Sequence, residues 1–142
     1  HHTSSLPKEN FFALTRLDQN RAQGMLARRA RASVGDVRNV IIWGSHGRTP
    51  DVEHAEVQGQ PVRQRLSKQE DAKWLKEEFV QDALTRGADI VKARKASSAL
   101  SAARAIANQV HDLHCGSRPG EMVSMGVWSD GNPFGVSPGL VY

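Results

Sequence analysis

The feature that most constrains this chain is a β-branched run, Val37 to Trp43 in VRNVIIWG, set between long stretches of helix-forming sequence. Valine and isoleucine pack well on a pleated surface, so the run predicts a buried strand that stops at Gly44. Ahead of it, Phe11 to about Arg31 carries strong helix formers with Leu14, Leu17, Met25 and Leu26 in an apolar series, which predicts a helix. Gly24 is a flaw in that helix, read as a point of close packing rather than a break. Beyond the strand, SHGRTPDVEHAEVQGQPVRQ mixes turn residues with a short alternating segment, His54 to Val57, and reads as a loop followed by a hairpin. A helix is predicted from about Glu70 to Arg86, where Trp74, Leu75, Phe79 and Ala83 share a face and Gly87 is a stop or bend.

A further helix runs through ADIVKARKASSALSAARAIANQVHDLH, with Leu100, Ala103, Ile106, Ala107, Val110 and Leu113 three and four apart. Its small residues suit close helix pairing, inside the domain or across a dimer. EMVSMGVWSDGNPFG alternates about a turn at Asp130-Gly131-Asn132, and LVY from Leu140 reads as a final strand. A chain ending inside a strand is expected to be truncated. The order gives an α/β fold of the α+β kind, a small antiparallel sheet flanked by long helices, on one domain's worth of chain, 142 residues.

Charge does little to define a partner. The net charge is +4, but 19 basic residues are interleaved with 15 acidic ones rather than gathered in the stripe that nucleic acid requires. The densest cluster, Arg28, Arg29 and Arg31, falls at a predicted helix C-terminus, where cations meet the negative end of the dipole. Cys115 is the only cysteine, which excludes an internal disulfide and fits a reducing, cytoplasmic compartment. HHTSSLPKEN lacks a hydrophobic signal-peptide core, and no apolar run reaches the roughly 18 residues of a membrane span. His111, His114 and Cys115 lack a distant fourth partner at zinc spacing, so no metal is expected. His54 reads as a hairpin residue, and Trp43, Trp74 and Trp128 as core or interface residues.

The chemistry concentrates in LTRLDQNRA and WGSHG. Asp18 and Arg21 are three apart and so share a helix face, while His46 directly follows the predicted strand, at the kind of strand end where α/β enzymes carry catalytic groups. Here the sequence resembles the malate dehydrogenases of the lactate/malate dehydrogenase superfamily. TRLDQNRA is similar to that family's helix motif, NVIIWGSH to its strand running into the catalytic histidine, KARKASSALSAARAI to its later helix, and VSMGVWSDGNPFGV to the strand and turn beyond. The resemblance covers nearly the whole chain, in the family's order. The histidine is flanked by Ser45, Gly47 and Arg48, where the family usually has asparagine before it and small polar residues after. The following loop is about two residues shorter, and Arg48 reads as exposed.

The resemblance implies a substrate domain whose His46 exchanges a proton with the substrate C2 oxygen as hydride moves to or from nicotinamide. Asp18 would be the partner that fixes the imidazole tautomer and stabilises imidazolium. Arg21 would grip the C1 carboxylate through two parallel hydrogen bonds. Leu17 would line the nicotinamide site, along with His46 and Ser101, and one of Ser97, Ser98 and Ser101 would lie near the pocket. It further implies NAD as cofactor, malate and oxaloacetate as substrates, and a homodimer. No G-x-G-x-x-G follows a strand, so a nucleotide-binding Rossmann domain is expected to be absent from residues 1–142 and the fragment alone to be inactive. The alternatives are a related 2-hydroxy-acid dehydrogenase with the same three residues, or a small basic binding module without chemistry.

Overall fold

The computed structural model describes residues 5–44 and 50–142. Helix α1 is Arg16–Ala30, shorter at its start than the sequence predicts. The reason lies at Ala13, whose N–H and C=O pair with the C=O and N–H of Gly126 at 3.0 and 2.9 Å; a residue held in a ladder cannot also be helical. A side chain at 126 would put its Cβ 2.6 Å from Ala13 Cβ, so only glycine allows the two backbones this close. At the other end Arg31 turns left-handed at φ 52°, and Ala32 N–H bonds back to Ala27 C=O at 2.9 Å, closing the helix.

The β-branched run is not one strand. It divides into β1 (Val37–Arg38) and β2 (Ile41–Ile42), with Asn39 at φ 59° between them. Asparagine tolerates that left-handed conformation, and here its side chain is also engaged: Oδ1 accepts from Met122 N–H at 2.8 Å and Nδ2 donates to Gly120 C=O at 3.4 Å. The two halves then join different sheets. β1 pairs antiparallel with β4 (Glu56–Val57), Val37 opposite Val57, and β4 with β5 (Gln60–Pro61). β2 pairs antiparallel with β3 (Pro50–Asp51), Ile41 opposite Asp51. The expected hairpin is β4–β5, its turn made by Gln58 and Gly59, both at positive φ, the conformation that matches strand twist.

Four helices follow: α2 (Val62–Arg65), α3 (Gln69–Glu77), α4 (Phe79–Arg94) and α5 (Ala99–Cys115). The helical sequence from Glu70 onward breaks at Glu78 instead of Gly87, because Trp74 and Phe79 turn together, rings edge to face at 5.2 Å, and Trp74 Nε1 donates to Asp82 at 3.0 Å. α4 runs through Gly87 and ends at Lys95, φ 52°. Ser97 Oγ then accepts from Ala99 N–H at 3.2 Å, so a serine hydroxyl starts α5 where the sequence predicts continuous helix. Neither helix glycine has its expected role: a Cβ on Gly24 would meet nothing within 4 Å, while one on Gly87 would meet Arg21.

The core lies between α1, the small sheets and the start of α4, with Leu26, Val40, Val57, Val62, Leu66 and Phe79 fully buried. α5 packs on α1 and buries Ala105 and Gln109; Leu100, Ile106, Val110 and Leu113 are exposed. The C-terminal LVY does find a partner: Val127 and Tyr142 exchange both backbone hydrogen bonds, at 2.9 and 3.0 Å, and Trp128 bridges Val141. The fold is thus α/β with small antiparallel sheets between helices, as expected. Among the described residues no helix is long and apolar enough to cross a membrane.

Candidate functional site

α1 carries the candidate groups on adjacent turns. Arg21 is mostly buried, with 12% of its side chain exposed, and Asp18 is similar at 14%. Nη1 of Arg21 stands 3.9 Å from Asp18 Oδ1, a long ion pair, and Nη2 donates to Ser98 Oγ at 3.4 Å, near the outer limit of a hydrogen bond. Nε is buried with no partner among the described residues. A guanidinium offers five N–H donors in a planar fork; here α1, α4 and the residue before α5 hold the fork without saturating it. Such a group is suited to take a carboxylate through two parallel bonds, and little else would compensate its burial.

Of the three serines near the predicted pocket, Ser98 reaches Arg21. Ser97 accepts from Ala99 N–H, and Ser101 sits in the first turn of α5, its N–H on Ser98 C=O at 2.9 Å. Leu17, half-buried beside Asp18, offers apolar surface of the kind a nicotinamide ring needs. That is the part of a dinucleotide these residues fit; nothing in the sequence matches a diphosphate-binding turn. His46, with Ser45, Gly47 and Arg48, lies outside the described residues.

The strand leading toward position 46 is nevertheless tied to α1. Gln19, fully buried, accepts from Ser124 N–H through Oε1 at 2.7 Å, and Ser124 Oγ accepts from Ile42 N–H at 2.8 Å. This relay fixes the end of β2 against the turn of α1 that carries Asp18. Beside it, Arg16 Nη1 meets Asp112 Oδ2 of α5 at 2.6 Å, side chains 7% and 12% exposed, and Arg16 Nε donates to Asn20 Oδ1 at 3.3 Å. Burial pushes the Asp112 carboxyl up, but hydrogen bonds from His111 and Arg16 and their charges outweigh it and hold it below its ordinary value. Gln19, Ser124, Arg16, Asp112 and Gly87 escaped the sequence reading. Arg16 and Gln19 lie inside TRLDQNRA, and Gly87 reads from the sequence only as a stop or bend.

Other groups stand apart. Arg29 bonds Asp71 at 2.6 Å and lies 5.1 Å over the Trp74 ring, so this cation joins α1 to α3, while Arg28 and Arg31 are exposed. Trp74 belongs to the core, whereas Trp43 is 60% exposed, its Nε1 donating to Asp51 at 2.8 Å. Open clefts of about 910 and 790 Å³ are lined by neither Asp18 nor Arg21. The first sets Arg28, Arg31, Arg65 and Arg86 among Asp71, Asp82 and Asp89, cations interleaved with carboxylates.

Comparison with known proteins is consistent across sequence and structure. Residues 15–142 match the family model described as lactate/malate dehydrogenase, alpha/beta C-terminal domain. Cytoplasmic malate dehydrogenase of Homo sapiens is 52% identical over 142 residues, covering 97% of this chain and 42% of that protein. Its counterpart in Mesembryanthemum crystallinum is 48% identical over 144 residues, with 97% and 42% covered. Among solved structures, Trichomonas vaginalis lactate dehydrogenase in complex with NADH and oxamate superposes with a TM-score of 0.82 at 33% identity, over 99% of this chain and 43% of that one. Malate dehydrogenase from Naegleria fowleri gives 0.73 at 34% identity, over 89% and 38%. The chain spans 42% of the length of these curated relatives.

Proposed function

Because the chain belongs to the lactate/malate dehydrogenase C-terminal-domain family, we propose that it is the substrate half of a cytoplasmic NAD-dependent malate dehydrogenase that interconverts malate and oxaloacetate. The observation that carries this reading is the buried, unsaturated guanidinium of Arg21, one turn from Asp18. Arg21 binds the substrate's C1 carboxylate and so fixes the orientation of C2. His46 exchanges a proton with the C2 oxygen; Asp18 holds its other ring nitrogen, fixing the tautomer and stabilising the imidazolium. The nicotinamide, when bound, supplies the hydride acceptor or donor. Leu17 gives it an apolar neighbour, with Ser101 and His46 near its reactive end, and the rest of the dinucleotide is held by a nucleotide-binding domain outside residues 1–142.

Identity near 50% to curated proteins named malate dehydrogenase supports malate over another 2-hydroxy acid. The exposed apolar stripe of α5 supports a homodimer, in which such a surface would be covered. The test uses the full-length enzyme. His46→Asn is expected to lower kcat by roughly 10²- to 10⁴-fold, the usual contribution of general acid–base catalysis. Arg21→Gln is expected to raise KM for oxaloacetate by roughly 10²-fold, two charge-assisted bonds being lost. Normal kinetics in both variants would refute the assignment.

A further inference from the structure

Glycine in the middle of a helix is disfavoured relative to alanine, and α4 keeps one at Gly87 without ending there. Propensity gives no reason for it, and neither does backbone conformation, since Gly87 is not among the positive-φ glycines. Space does. A Cβ at 87 would stand 2.9 Å from Arg21 Nη1, 3.3 Å from Cζ and 3.4 Å from Nη2. The guanidinium therefore lies directly on the α4 backbone, with Ser98 Oγ at one nitrogen and Asp18 at the other. Gly24 is the control within the same molecule: it too is inside a helix, and its missing side chain leaves only open space.

We propose that Gly87 is a positioning residue for Arg21: the absence of its side chain forms the floor of a slot that sets the depth and plane of the guanidinium. This rests on the reading of Arg21 as the carboxylate anchor. Everything a Cβ would strike is the far end of a flexible side chain, so an alanine would be accommodated by displacement of the guanidinium rather than by movement of either helix. The fold would gain helix propensity while the anchor moved by a few tenths of an ångström. The two outer nitrogens would then meet the substrate carboxylate out of register, and binding and alignment of C2 would suffer together.

The experiment compares Gly87→Ala, Arg21→Gln and the double variant in the full-length enzyme, measuring Tm and steady-state kinetics with oxaloacetate and NADH. Gly87→Ala is expected to keep or raise Tm while kcat/KM falls roughly tenfold, chiefly through KM. In the Arg21→Gln background the same alanine should cost less than twofold, because the group it displaces is gone. If Arg21→Gln raises KM but Gly87→Ala leaves kcat/KM unchanged, the slot is refuted and the anchor stands. If Arg21→Gln leaves KM unchanged, the anchor reading itself fails, and the inference with it. A fall in Tm of more than about 5 °C in Gly87→Ala would also overturn it, showing that the helices and not the side chain had yielded.

Discussion

Replacing Asp112 with asparagine tests how far the packing of α5 on α1 depends on one charge. Asparagine preserves shape and an acceptor oxygen, so the change removes charge and little else. It leaves Arg16, 7% exposed, with neutral partners only: the new amide and Asn20 Oδ1 at 3.3 Å. Removing one partner of a buried pair costs about 3–5 kcal/mol, and the 12% exposure of Asp112 argues for the lower end. We expect about 3 kcal/mol, corresponding to a Tm lower by about 10 °C in a domain of this size. Arg16→Met should cost less, about 2 kcal/mol, since an isolated Asp112 can take up a proton and keeps its contact with His111, whereas guanidinium cannot shed its charge. Urea unfolding of both single variants and the double, followed by tryptophan fluorescence, gives the coupling directly. A coupling energy below about 0.5 kcal/mol would refute the idea that this pair joins the helices.

Two further outcomes follow from the geometry. The depressed carboxyl of Asp112 contributes stability that is complete above its unfolded value of about 3.9 and is lost as pH falls through the lower folded value. Urea midpoints should therefore drop more steeply below pH 4 in the parent than in Asp112→Asn. Gly126→Ala would force a Cβ to 2.6 Å from Ala13 Cβ and should cost about 1–3 kcal/mol by overpacking; Ala13→Gly in the same chain should restore part of it, and equal urea midpoints for Gly126→Ala and parent would show that the bridge yields freely.

What could be read from the residues was the part governed by local preference and pattern: the helix around Leu26, the Gln58-Gly59 hairpin, the antiparallel pairing, and Asp18 and Arg21 on one face of α1. What could not be read was set by distant partners. Phe11 to Thr15 has helical composition, but Ala13 is claimed by Gly126. Val37 to Trp43 has the composition of one strand, but the side chain of Asn39 is recruited by residues 120 and 122, which turns the run into two. Gly87 looked like a stop because a sequence does not reveal that an arginine from another helix fills the space. The candidate site follows the same division: the motif pointed to Asp18 and Arg21, while the groups packed against Arg21 come from α4 and the residue preceding α5.

The contact between Ser124 and Ile42 spans 82 positions of sequence. β2 has two residues, too few for a ladder to fix its own direction, so its aim is steered from outside by a hydroxyl near the far end of the chain. Variation at Ser124 should therefore be felt across the fold: a remote serine sets how the two residues of β2 lie against α1.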